Sequence, residues 1–280
     1  MKEFIKILRI NKCKTNLVLL SFVSFLMAGS LPLLAVGRGA IPAQEGEEAC
    51  KIIKKSSDLV DYKSITMKIS LKTFAPNGAV RVREMESSTL STPEVTKMVM
   101  RITSPPDQKG VAMLIHDYKE KGDDMWIYLP SLRKSRRVVS SEKASQFMGS
   151  EFLNSDMSRP STDDYRHTLT GSGSINNEVC WIIESIAKDA TVAKESGFTK
   201  KVSYITKNDN LCRKVEFYDA KGALLRTQLI SKFEKSGPGT YIAIEMEVIN
   251  NRTQRKSLLE IIPEKSTTPP DSKLFDPARL

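Results

Sequence analysis

Histidine is scarce in this chain: His116 and His167 are the only two in 280 residues. No C-x-x-C pair accompanies them, so a structural zinc site has almost nothing to build from, and neither metal nor cofactor is expected. No His-Glu-x-x-His, no Gly-x-Ser-x-Gly elbow and no glycine-rich phosphate loop occurs, which removes the zincin, hydrolase and nucleotide-binding readings. His116 falls on an expected strand beside Tyr118, but nothing in the sequence sets a serine against it. The chain is read as a non-enzyme. Lysine and arginine outnumber acids to a formal +10. They are scattered, however, and no finger, helix-turn-helix or RNA-binding aromatic motif goes with them, so nucleic acid is not an expected partner.

Long apolar runs are also few. Only residues 17–36 form one, behind Lys2, Lys6, Arg9, Lys12 and Lys14 with the single acid Glu3. A basic start, an apolar centre and small residues behind it describe a secretory signal peptide. Ala35 and Gly37 suit a cut before Arg38, with a second option near Ala43. The alternative is an uncleaved anchor, since the run has about the 20 residues that span a bilayer; Pro32 and the lack of a basic stop favour cleavage. Neither Cys13 nor Cys50 follows an apolar stretch ending in small residues, so lipid attachment is not expected. Removing residues 1–37 leaves roughly 240 residues, enough for one domain with a substantial core, and lowers the formal charge to +6. That residual charge favours anionic membrane surfaces or acidic partners. Three cysteines remain. An oxidising compartment permits a Cys180–Cys212 disulfide, and two buried thiols are an equally open reading; Cys50 stands outside that pair.

Residues 44–60 carry Ala49, Ile52, Ile53 and Val60 at helical spacing, which predicts a helix. Past Asp61 the period changes to two, with Ile65, Met67, Ile69 and Leu71 alternating with polar residues. Strands are expected at 80–85, 95–102, 111–118, 125–129, 178–186, 199–205, 211–218, 223–233, 242–248 and 257–262. Residues 130–170 have a different texture, polar and basic, and are read as short helical turns and loop. The tail from Pro269 is read as extended and tied down by Phe275. One early helix and many antiparallel strands define an α+β chain dominated by a strongly curved sheet or incomplete barrel. The helix and the 130–170 segment are the elements available to cover its concave face.

The central segment carries an ordered set of motifs: Trp126-Ile127-Tyr128-Leu129-Pro130, then Arg136-Arg137, then Phe147-Met148-Gly149-Ser150-Glu151-Phe152 with Asp156. Residues 104–114, Glu216-Phe217-Tyr218-Asp219 with Gly222, and Leu274-Phe275 extend it along most of the chain. This set resembles the outer-membrane lipoprotein-sorting protein family, periplasmic proteins related to the lipoprotein carrier LolA. The resemblance implies an open, incomplete β-barrel capped by helices, whose interior receives acyl chains or another hydrophobic ligand. It also implies work with an inner-membrane permease or export complex. Where the family usually has aspartate, this chain has Glu151, which keeps the charge and lengthens its reach.

Several residues are candidates on this reading. Trp126 and Tyr128 share one strand face, opposite Met125, Ile127 and Leu129; they are either core and edge residues or the lining of a cavity mouth. Phe147, Met148 and Phe152 are apolar residues in a polar stretch, suited to a lid that also caps the core. A charged residue at 152 is expected to lower lipid binding and leave the fold intact. Arg133, Lys134, Arg136, Arg137 and Lys143 form the densest basic cluster. It is read as solvated loop charge, as internal pairing with Glu142, Glu151 and Asp156, or as a headgroup site suited to arginine. A rival to the carrier reading is a protein-interaction or accessory module of an export or efflux complex.

Overall fold

The computed structural model describes residues 43–60, 62, 64–159, 161–264 and 269–280; the expected signal peptide lies outside them. Helix α1 (Ala43–Leu59) precedes strands β1 (Thr66–Phe74), β2 (Val80–Ser91), β3 (Val95–Ser104), β4 (Ala112–Tyr118), β5 (Asp124–Leu129) and β6 (Lys134–Arg137). After a central segment that includes the short helix α2 (Ser140–Lys143) come β7 (Tyr165–Ile175), β8 (Glu178–Ala187), helix α3 (Ala190–Ser196), β9 (Lys200–Thr206) and β10 (Cys212–Tyr218). Strands β11 (Leu224–Gly237), β12 (Thr240–Asn250) and β13 (Lys256–Glu264) complete the order.

All thirteen strands belong to one sheet, in the order β6-β5-β4-β3-β2-β1-β13-β12-β11-β10-β9-β8-β7. Every pairing is antiparallel, and β1 meets β13 in register over its whole length, from Thr66 opposite Glu264 to Phe74 opposite Lys256. The first and last parts of the chain therefore close the middle of the sheet, while β6 and β7 stand at opposite edges. This is the curved, open, incomplete barrel expected. Bulges in β3, β7, β10, β11 and β12 assist the curvature, because an extra residue on one strand bends it and increases its twist.

Two strands and α3 exceed the sequence expectation. All four residues of β6 are charged or polar and exposed, so no apolar alternation marks it. Charge of this kind suits an edge, where it discourages pairing with another chain. Strand β7 contains Thr170-Gly171-Ser172-Gly173, a run of low strand propensity, and is held by ten pairings to β8 rather than by its own composition. Helix α3 takes its start from Asp189, whose carboxylate accepts from the Thr191 and Val192 amides. Gly197 ends it in the left-handed region.

The inner face has two halves. Met67, Ile69, Leu71, Met85, Met100, Ile102, Met113, Ile115 and Met125 line one, and Phe147 and Phe152 descend onto them. Helix α1 covers the other half, setting Ala49, Ile52 and Ile53 on Ile183 and Ile205.

Of the two readings left open for Cys180 and Cys212, a bridge or two thiols, the structure has the thiols. Cys180 pairs with Thr206 and Cys212 with Ile205, so β9 runs between them. Neighbouring strands lie about 4.8 Å apart, which puts the two cysteines beyond the roughly 4.4–6.8 Å that a disulfide bridges. Thr206 and Ile205 also point to opposite faces, and their cysteine partners follow them. Cys212 faces the inner cluster under α1, and burial pushes its thiol up to about 11.

Candidate ligand site

The segment from Val139 to Arg159 crosses the first half of the concave face as a lid. At its centre the chain turns back on itself: Gln146 bridges Leu153, the Phe147 amide donates to Phe152 O at 2.8 Å, and the Ser150 amide donates to Phe147 O at 2.9 Å. The Ser150 hydroxyl also donates to Phe147 O at 2.7 Å and accepts from the Phe152 amide at 3.2 Å. Gly149 supplies the φ of +69° that this reversal needs. The Phe-Met-Gly-Ser-Glu-Phe motif is thus a folding device: the turn brings both phenylalanines down together, leaving them 0% and 1% exposed. Met148 remains half-buried against the same cluster. With Phe152 wholly enclosed, a charge at that position is expected to disrupt the core, not to spare the fold.

Two carboxylates anchor the second half of the lid. Glu151, buried, pairs with Arg255 at 2.8 Å and accepts from Asn250 Nδ2 at 2.8 Å. Asp156 takes both guanidinium nitrogens of Arg226, Nη2 at 2.8 Å, and also accepts from the Leu153 amide at 2.8 Å. The Arg226 guanidinium carbon lies over the Phe217 ring, 4.0 Å from its centroid. The basic cluster is likewise largely paired. Arg136 binds Glu142 at 2.6 Å, Arg137 binds Asp124, and Lys143 binds Asp123 and, at 3.1 Å, Glu195. Of the acids read as partners of that cluster, Glu142 pairs with it, whereas Glu151 and Asp156 reach across the sheet to Arg255 and Arg226. Arg133 stays exposed in the turn after β5.

Trp126 and Tyr128 lie on the other face of β5 from Met125 and Ile127. Trp126 packs against His116, with ring centroids 4.9 Å apart, and Arg101 approaches the Tyr128 ring at 5.9 Å. This outer face is covered by the C-terminal tail: Phe275 is buried, and its carbonyl bonds His116 Nε2 at 2.9 Å. Leu129, half-buried, ends β5. The two aromatics are therefore not brought together with the lid phenylalanines.

A cavity of about 260 Å³ opens in the second half, between α1, residues 161–167 and the inner face of β9–β12. Ile53, Val60, Ile205, Val215, Ile230, Phe233, Ala243 and Met246 make its walls mainly apolar, and Tyr165, His167, Lys201 and Ser203 add polar atoms. Residues in register across six strands explain where these fall. His167 opposes Ser185, Ser185 opposes Lys201, Lys201 opposes Phe217, and Phe217 opposes Arg226, which in turn opposes Asn250. One mostly polar rung thus crosses an otherwise apolar concave face and ends beneath the lid anchors.

Within that rung His167 is fully satisfied. Thr162 O only accepts, so Nε2–H donates to it at 3.0 Å, and Nδ1 accepts from the Ser185 hydroxyl at 2.8 Å. Burial lowers the imidazole to about 4, and it is neutral at pH 7. Ser185 and His167 are a nucleophile and a base in contact, but Ser185 is 0% exposed within the sheet. Because the folded value lies below the unfolded one of about 6.5, the unfolded chain binds more protons between pH 6.5 and 4. Stability should therefore fall as pH drops through that window, by up to about 3 kcal/mol. Urea unfolding of the wild type and His167→Gln from pH 7.5 to 4.5 checks this: the variant should lack that part of the acid loss, and parallel profiles would refute it.

Pattern reading missed the cavity wall, although one signal was present. Lys200 and Lys201 are consecutive on a strand, so one of them must face inward. Among the described residues, no group of three or more His, Cys, Asp or Glu side chains is placed to hold a metal ion, and no helix is long and apolar enough to cross a membrane.

A thirteen-stranded open sheet with a pinned lid and a residual apolar cavity defines the LolA-like class of fold. A family model described as "Uncharacterized protein" matches residues 94–280, and the chain belongs to that family. Among solved structures, it is similar to an outer membrane lipoprotein-sorting protein domain from Vibrio parahaemolyticus, with 26% identity and a TM-score of 0.73 over 82% of this chain and 97% of that one. A DUF1329 family protein from Desulfovibrio piger gives 22% identity and a TM-score of 0.74 over 84% and 98%. A LolA superfamily protein from Nitrosomonas europaea gives 23% and 0.63 over 83% and 99%. The family resemblance read from the central motifs holds. No curated protein matches the chain.

Proposed function

We propose that this protein is a periplasmic carrier for a hydrophobic ligand, a lipid or the acyl chains of a lipoprotein, working with an envelope transport system. The observation that carries the reading is the apolar cavity of about 260 Å³ under α1. A sheet that closed its core with its own side chains would leave no such space. The fold shared with a lipoprotein-sorting domain and a LolA superfamily protein supports it. The basic and apolar N-terminal residues supply the export signal, and one LolA-like domain follows a cleavage near residue 37. Binding needs no covalent chemistry. Apolar area leaving water contributes roughly 25 cal/mol per Å², and movement of α1 or the lid would release the cargo. At about 260 Å³ the cavity lies just under the roughly 300–1,000 Å³ usual for small-ligand pockets. One chain fits this conformation; a larger cargo requires α1 to lift.

A second reading has one observation behind it. The half under the lid is filled by Phe147, Phe152 and five buried methionines, Met67, Met85, Met100, Met113 and Met125, as the shallow, self-filled interior of a protein-interaction module would be. Native mass spectrometry of the protein purified without detergent, with organic extraction of any adduct, separates the two. A discrete apolar adduct is expected. A clean apo mass that persists after incubation with envelope lipids would favour the interaction module.

A further inference from the structure

The polar rung across the second half has one open member. His167 and Ser185 bond each other at 2.8 Å, Arg226 is held by Asp156, and Asn250 by Glu151. Lys201 stands between these satisfied groups and lines the cavity. Its Nζ lies 4.9 Å from the Tyr165 ring centroid and 5.9 Å from that of Phe198. Among the described residues no carboxylate forms an ion pair with it. The carboxylate whose field reaches it, Asp156, is already committed to both nitrogens of Arg226.

Rings offer a cation only a weak partner, which does not offset the loss of hydration of a charge held against an apolar wall. Burial accordingly pulls the Lys201 ammonium below the usual lysine range. A lysine kept on an apolar wall at such a cost, beside neighbours that are all paired, is a cation awaiting a counter-charge. The wall runs on from it along β9 through Ser203 to Ile205, and across β11 and β12 to Phe233 and Met246, a surface suited to a hydrocarbon chain.

We propose that the cavity takes a single-chain amphiphile with an anionic head, its carboxylate or phosphate on Lys201 Nζ and its chain along Ile205, Ile230, Phe233 and Met246. This rests on the carrier reading and names its ligand class. The test is calorimetric titration with decanoate, decyl phosphate and methyl decanoate, on the wild type and on Lys201→Met, Lys201→Gln and Lys201→Arg. The wild type should bind an anionic probe about tenfold tighter than the ester, as one charge-assisted bond provides. Whichever of decanoate and decyl phosphate binds tighter names the head. Lys201→Met should bind all probes at the ester's affinity, and Lys201→Arg should keep the anionic preference. Thermal melting should show Lys201→Met at least as stable as the wild type, since it loses an unpaired, half-buried charge; should it fail to fold, Lys201→Gln serves instead. Equal affinities for decanoate and ester, unchanged without the lysine, would overturn the head-group assignment and leave the carrier reading standing. No binding of any probe would overturn both.

Discussion

Asp156→Ala is expected to destabilise the protein by about 3–5 kcal/mol, the cost of leaving one member of a buried ion pair uncompensated. The reason lies in Arg226, whose side chain is 8% exposed and, among the described residues, has no other carboxylate bound to it. Its guanidinium is fixed over Phe217, so it has little freedom to turn toward water. Asp156 also accepts from the Leu153 amide, so the same change removes a bond internal to the lid. Urea unfolding followed by tryptophan fluorescence measures the effect. Asp156→Ala combined with Arg226→Met should recover part of the loss, because a charge and its partner leave together. A cost below about 1 kcal/mol for the single variant would mean that apolar contacts alone hold the lid.

Phe152→Ala is the second large effect, about 3–5 kcal/mol from lost burial and the cavity left behind. At 1% exposure Phe152 is enclosed by the largest core cluster, and its carbonyl accepts from the Phe147 amide in the turn that positions both rings. Phe152→Asp should do worse, because a carboxylate there has no partner. The same urea experiment reads both. A Phe152→Ala variant of near wild-type stability would show that the lid contributes little to the core and opens readily. Ligand binding is the complementary readout. The cavity belongs to the half under α1, so Phe152→Ala protein that remains folded should keep its affinity for an apolar probe.

Much of the architecture was legible in the residues. Alternation from Ile65 to Leu71, and in the strands after it, reports one buried face because side chains along a strand point to opposite sides with a period of two. The helix at 43–59 was legible from Ala49, Ile52 and Ile53. Strand β6 was not, since an exposed charged edge strand buries nothing and so has no pattern to show. Nor was β7, whose Gly-Ser stretch is held in place by its neighbour.

For the site, residue types marked Phe147, Met148 and Phe152 as apolar positions in a polar stretch, and the family resemblance grouped them with Glu151 and Asp156, because a compact turn writes itself into a short motif. Partnership across the sheet was beyond that kind of reading. Arg226 meets Asp156 across 70 positions, Asn250 meets Glu151 across 99, and the rung from His167 to Asn250 exists only once five pairings are in register. Pairing of distant strands depends on every turn and bulge between them, since a slip of one residue sends a side chain to the opposite face. Patterning along the chain therefore indicated a curved antiparallel sheet and a central segment available to cover it. Long-range register chose which cations that lid neutralises and which one, Lys201, it leaves facing the cavity.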